Sequence, residues 1–284
     1  MSNLVLVTLS ASHGAVTQTK AMLEGLGHTV TVVLSSAART NQLVTYDLIV
    51  WCRGDDNAIY SAEVVGAVDQ GTPLICATAG AVTTFNYLPV QELDLITASF
   101  SQGPNDPTQS SISVLMEHEL INGLGSVGSG ISVYPSNTYL IPAQESKLVS
   151  GAIKIAASAS DNTTISLALF PMGTLNSQGN PIAATVSFVP WVYGLNGYTA
   201  AAKEIIRRLI LLSLAGSKVI SGVITDSNGN PAQRNVIAVN LLTNKVSFVA
   251  QSDITGAYSL TVPDTANYAV VCVDDVAAPM VYVA

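Results

Sequence analysis

The chain has 284 residues, of which 49% are apolar and only 11% charged, and 11 Lys+Arg against 19 Asp+Glu give a net charge of −8. Its length accommodates a medium domain and a small one, and a charge content well under the ordinary ~25% leaves a surface of Ser, Thr, Asn, Gln, Gly and Ala suited to packing against neighbours. The acidic balance, with no basic run to displace counterions from phosphates, excludes nucleic acid as an expected partner, and the longest apolar stretch, Ile205 to Ala215, carries Arg207 and Arg208 and falls short of the ~20 residues that membrane insertion needs.

The N-terminal run Met1-Ser-Asn-Leu-Val-Leu-Val-Thr lacks a basic leader and is too short for a signal peptide, so the expectation is a soluble protein made in a cytoplasm. "NLVLVTLS" (3 to 10) is a continuous β-branched and Leu run, the form of a parallel strand buried on both faces. "AVTQTKAMLEGLG" predicts a helix with Val16, Met22, Leu23 and Leu26 near helical spacing and Gly25 and Gly27 at its exit. "HTVTVVLSS" (28 to 36) and "YDLIVWCRG" (46 to 54) predict strands. "NAIYSAEVVGAVDQG" (57 to 71) predicts a helix with Ile59, Val64, Val65 and Val68 on one face, and "TPLICATAG" a fourth strand and turn. Strands and helices alternating across such short connections predict a doubly wound, flavodoxin-like, mostly parallel α/β sheet.

Residues 99 to 112 collect Ser, Gly, Pro, Asn and Asp and predict a surface loop. Beyond it "SGISVYPSNTYLI", "GAIKIAAS", "TTISLALFPMG" and "PIAATVSFVPWVYG" predict strands. "NGYTAAAKEIIRRLILLSLAG" (196 to 216) predicts a closing helix with Ala201, Ile205, Leu209 and Leu212 as its core stripe and Gly216 as its stop. From residue 217 the pattern changes to five or six short strands broken by Asp-Ser-Asn-Gly-Asn-Pro, Thr-Asn and Asp-Ile-Thr-Gly turns, which predicts a separate small antiparallel β-sandwich. The expected domains are therefore 1–216 and 217–284.

Three widely spaced cysteines, Cys52, Cys76 and Cys272, offer neither zinc-site spacing nor a disulfide framework and are expected to be buried thiols. No metal and no cofactor is expected.

Two resemblances add to this reading. "GVITDSNGNPAQRNV" and "SDITGAYSLTVP" resemble the first hairpin and the D-x-x-G-x-Y turn and strand of carboxypeptidase-regulatory-like, transthyretin-like (Ig-like) sandwiches, and "TGAYSLTVPDTANYAVVCVDD" is similar to terminal modules of tailed-bacteriophage virion proteins. "YDLIVWCRGD", "TPLICATAGAV", "EHELINGLGS" and "EIIRRLILLSLAG" resemble segments of the class I glutamine amidotransferase-like fold, within it the group related to trehalose-utilisation proteins.

The amidotransferase resemblance directs attention to Cys76. A working elbow carries glycine two residues before and two after the cysteine, because the strained turn has no room for Cβ atoms. Here Leu74 and Thr78 hold those places, and "SFVPWVYGLNG" has no histidine where the family's base belongs. His13 follows the first strand and His28 starts the second, which leaves His118, with Glu117 or Glu119 to orient it, as the one histidine that could approach Cys76. Cys76 and His118 are accordingly vestigial candidates at most, and no catalytic residue is expected.

"SASHGAV" (10 to 16) could cradle an anion at a helix N-terminus but lacks fingerprint glycines, so a plain turn capped by Ser12 is expected. "CRGDD" (52 to 56) contains an RGD triplet, with Arg53 and Asp55 read as loop or interface residues. Asp226, Asn228 and Asn230 look like the start of a calcium loop without its closing glutamate, which makes a hairpin turn the expectation; Asp253, Asp274 and Asp275 are read as solvated or turn-forming. Trp51, Tyr134, Tyr139, Trp191, Tyr193 and Tyr198 could line a sugar platform, with core or contact roles the commoner use.

Together these features lead to the expectation of a non-enzymatic structural component of a tailed-phage virion (tail, baseplate, neck or head decoration), assembled in the host cytoplasm. It would contact other virion proteins or further copies of itself, and a host-surface glycan is a further candidate partner. The alternatives are a cysteine-dependent hydrolase or amidotransferase-like enzyme, and a carbohydrate-binding or host-adhesion module.

Overall fold

The computed structural model describes residues 2–8, 10–52, 61–77, 89–96, 110–135, 143–159, 161–190, 197–215, 217–241, 245–263, 267–274 and 277–282. They fall into two units, Met1–Met116 with Leu124–Leu214, and Glu117–Gly123 with Ala215–Ala284.

In chain order the first unit contains β1 (Asn3–Thr8), α1 (Gly14–Gly25), β2 (Thr29–Leu34), α2 (Thr40–Leu43), β3 (Leu48–Trp51), α3 (Ala62–Asp69), β4 (Leu74–Cys76), α4 (Pro89–Glu92), β5 (Ser111–Val114), β6 (Gly130–Ser132), β7 (Ala143–Gln144), β8 (Ile153–Ser158), β9 (Asp161–Phe170), β10 (Val186–Phe188) and α5 (Ala200–Leu214). The parallel pairs run β2-β1-β3-β4-β10, which is the 2-1-3-4-5 order of a flavodoxin-like sheet. The unit is α/β.

From β10 the same sheet continues antiparallel through β9, β8, β5 and β6, with β7 beside β9. The expectation of a mostly parallel sheet is corrected for this half. For the β8-β9 pair the reason is connection length: β8 ends at Ser158 and β9 begins at Asp161, far too close for the crossover that a parallel neighbour needs.

Alternation along the buried strands sends side chains to both faces of the sheet. Val5, Val7, Ile49, Trp51, Leu74 and Cys76 join one core with Val64, Ala67 and Val68 of α3 and Val90 of α4. Their neighbours Leu4, Leu6, Leu48, Val50 and Ile75 are equally buried and point the other way. On that opposite side α1 buries Ala15, Val16, Thr19, Met22 and Leu23, and α5 buries Ala202, Ile205, Ile206, Leu209, Ile210 and Ser213. The stripe of α5 is thus displaced from the predicted one, with Ala201 and Leu212 only half-buried.

The second unit holds β11 (Ser217–Val223), β12 (Asn235–Asn240), β13 (Lys245–Gln251), β14 (Ala257–Pro263), β15 (Tyr268–Asp274) and β16 (Ala277–Tyr282). They form two antiparallel sheets, β11-β14 and β13-β12-β15-β16.

Among the described residues one five-residue loop occurs three times, once in the first unit and twice in the second. In Asn176–Asn180, Asp226–Asn230 and Asp253–Ala257 the first residue's N–H donates to the fifth residue's carbonyl at 2.8–2.9 Å, and the fourth residue, glycine, donates back to the first residue's carbonyl at 2.9–3.0 Å. In each, the first side chain's Oδ1 accepts the N–H groups of the third and fifth residues. The glycines Gly179, Gly229 and Gly256 take φ of 81°, 83° and 76°, a region open to glycine at no steric cost. Asp226 therefore closes a hairpin, and its Oδ1 is engaged by its own turn.

Candidate functional site

In an open α/β sheet, ligands bind beyond the carboxyl ends of the parallel strands. Here that edge is formed by Thr8, Cys52, Ala77 and Val189. The ladder runs on past the strand ends: Cys52 N–H donates to Val7 at 2.9 Å, Ala77 to Trp51 at 2.9 Å and Val189 to Cys76 at 2.9 Å.

Cys76 ends β4 between Trp51 of β3 and Phe188 of β10, and is 0% exposed. Burial raises its thiol far above the ordinary range, opposed only in part by a hydrogen bond with the Val90 backbone. Among the described residues the only non-glycine with positive φ is Asp94, at 56°, so Cys76 lacks the strained backbone of a nucleophile elbow. Leu74, where an elbow would carry glycine, is a buried rung paired with Ile49 and Val186; Thr78 lies outside the described residues.

His118 belongs to the second unit, whereas Cys76 belongs to the first. It is 0% exposed, and its Nδ1 accepts the Leu120 N–H at 3.2 Å, which caps the short 3-10 turn Glu119–Ile121. That contact uses the lone pair a general base would need at Nδ1.

Cys52 follows Trp51, the register partner of Cys76, and by strand alternation projects from the opposite face of the sheet. Burial pushes its thiol up to about 12, against a hydrogen bond with Thr19. Thr19 Oγ1 in turn lies 2.9 Å from the Tyr198 hydroxyl, and the Tyr198 ring is 6.2 Å from that of Tyr134. Tyr134 is raised by burial, with a smaller contribution from Tyr198. Sequence reasoning missed this polar chain because its members lie far apart in the sequence. It also removes Trp51, Tyr134 and Tyr198 from any sugar platform, since all three are buried. Tyr139, Trp191 and Tyr193 lie outside the described residues, as do Arg53, Asp55 and Asp275. Cys272, expected to be buried, is half-exposed on β15.

A second cluster links α2, α3 and α4. Ser61 Oγ donates to Glu92, whose carboxyl is raised by burial despite that hydrogen bond. Glu63 accepts from Thr40 N–H at 2.6 Å and Thr40 Oγ1 at 2.7 Å, the hydroxyl contributing most to lowering its carboxyl. These contacts tie helix ends together.

The turn after β1 is capped by His13, not Ser12: His13 Nδ1 accepts the Ala15 N–H at 3.3 Å, while the Ser12 and Ser10 hydroxyls pair at 3.2 Å. His28 precedes β2 and is lowered first by burial and then by the N-terminal charge. No group of three His, Cys, Asp or Glu among the described residues could hold a metal ion, and no helix among them is long and apolar enough to cross a membrane.

No family model matches the chain, and no curated protein matches it. A similar solved structure is "Structure of PurLQS from Thermotoga maritima", at TM-score 0.46 and 14% identity, covering 74% of this chain and 98% of that one. The expectation of a tailed-phage virion component is corrected at this point: the similarity found runs to PurLQS, and neither that comparison nor the described structure connects the chain to a particle.

Proposed function

We propose that the chain is a binding protein whose first unit keeps an amidotransferase-like scaffold without thiol catalysis at Cys76, and whose second unit is a carboxypeptidase-regulatory-like β module. The observation that supports this reading is the enclosure of Cys76, 0% exposed on unstrained backbone. A nucleophilic cysteine needs thiolate character and access to substrate, and burial denies both. The sparsely charged chain, with 11% charged residues, suits protein partners, further copies of itself included.

A second reading, a cysteine-dependent hydrolase or amidotransferase-like enzyme, draws on the place of Cys76 at the carboxyl end of β4, the sheet edge where such folds hold ligands. Iodoacetamide labelling of the native chain near neutral pH, read by peptide mass, separates the two. Half-exposed Cys272 should be modified first, with Cys52 and Cys76 reacting only after denaturation. Labelling of Cys76 ahead of Cys272 would establish the enzyme reading instead.

A further inference from the structure

β11 pairs with β14 along one side, and among the described residues no strand pairs with its other side. Its register runs unbroken from Ser217↔Pro263 to Val223↔Ala257. Val219, Ser221 and Val223 share one face and are exposed, the valines at 62% and 63%. Opposite Ser221 and Val223 on β14 lie Ser259 and Ala257, an exposed and a half-exposed residue. On the other face Gly222 lies against the Tyr258 ring, where an added Cβ would come within 2.7 Å of the hydroxyl.

Edge strands are ordinarily protected by charges, proline, bulges or a covering segment. Residues 219 to 223 contain no charge and no proline, and their pairing with β14 contains no bulge. The strip is also self-complementary. An antiparallel pairing with a second copy about a two-fold axis at Ser221 sets Val219 against Val223, Ile220 against Gly222 and Ser221 against itself. No like charges are opposed, as a stable cross-strand pairing requires. Lys218 takes the register position opposite Ile224 of the second copy, so the one charged position of the strand meets an uncharged one. Two chains of charge −8 repel one another, which makes an uncharged strip such as this a favourable place of approach.

We propose that β11 is the contact through which two copies of this chain associate, edge to edge and antiparallel about Ser221, joining two β11-β14 pairs into one four-stranded sheet. This goes beyond the binding role assigned above and does not rest on the state of Cys76. So short a strip makes a small interface, hence a reversible dimer that grows with concentration.

Sedimentation velocity of the full chain across a concentration series tests this, together with two variants. Val223→Lys places a charge on the strip and should raise the dimer dissociation constant about tenfold or more. Ser221→Cys should form an intermolecular disulfide under mild oxidation, because residue 221 faces its own copy at a spacing that suits the bond. Ser259→Cys, exposed on β14 and one strand removed from the proposed β11 contact, should not. Both serine positions are exposed, so these variants keep the proposal testable if Val223→Lys fails to fold. A chain that stays monomeric throughout, including one that binds a different protein along this strip, would overturn the proposal. So would a dimer in which Ser221→Cys cross-links no faster than Ser259→Cys.

Discussion

The loop Asn176–Asn180 sits in an α/β unit and the loops Asp226–Asn230 and Asp253–Ala257 in a β unit, yet all three close with the same hydrogen bonds. Asn or Asp first and Gly fourth mark the turn in both surroundings, although the same spacing at Asn122–Gly125 does not form it. The differences lie outside the loop proper. The glycines of the first two have open space where a side chain would go, whereas Gly256 is pressed against the Ile224 carbonyl. The first loop uses a neutral amide as its acceptor, and the other two use carboxylates.

Gly256→Ala should break the equivalence most severely. Its Cβ would lie 2.2 Å from Ile224 O on a backbone at φ +76°, adding a backbone clash to the left-handed penalty, together about 2–5 kcal/mol. Chemical denaturation followed by amide exchange of β14 should show the second unit unfolding early. Gly179→Ala and Gly229→Ala should each cost about 1–2 kcal/mol, the conformational penalty alone, since nothing lies within 4 Å of either added carbon. Equal losses at all three glycines would show that local backbone preference governs and packing contributes nothing.

The smallest effect separates the acceptors. The carboxyl of Asp226 is held below its ordinary value, first by the Asn230 N–H, and that of Asp253 first by the Thr255 hydroxyl. A depressed folded-state value means the contribution is present above the ordinary carboxylate range and lost as pH falls through the lowered value. Amide NMR shifts of Asn228, Asn230, Thr255 and Ala257 should therefore move below about pH 4, while those of Gln178 and Asn180 stay put. Asp226→Asn should make its loop as indifferent to acid as the loop at Asn176.

The same contrast shows what was legible in the sequence. Continuous apolar runs announced β1, β3 and β4, because burial on both faces leaves a strong pattern; β2 showed instead as an alternating Thr/Val run, and Gly-bounded helical spacing announced α1 and α5. The turn at Asp226 was also legible, but its twin at Asn176–Asn180 passed unnoticed although "NSQGNP" repeats the pattern of "DSNGNP". β5 was missed because "SISV" follows a polar, Pro-rich stretch, and its buried Ile112 and Val114 alternate with serine over only four residues. At Cys76 the missing glycines and histidine were readable, whereas its enclosure depends on a core that brings β10, more than a hundred residues further on, beside β4. The cap at His13 escaped because hydroxyl residues are the usual choice, and the chain of Thr19, Cys52 and Tyr198 exists only through tertiary packing.

The pairing of β4 with β10 has a consequence for synthesis. Leu74 meets Val186, so as the chain leaves the ribosome an apolar strand with one side unmatched must wait while everything between them is made. Long-range parallel pairing is slow to form, and exposed strand sides invite the wrong neighbour in the interval. Nascent chains stalled before Val186 should therefore depend on holding factors far more than chains released after Phe188, a demand set by topology and independent of final stability.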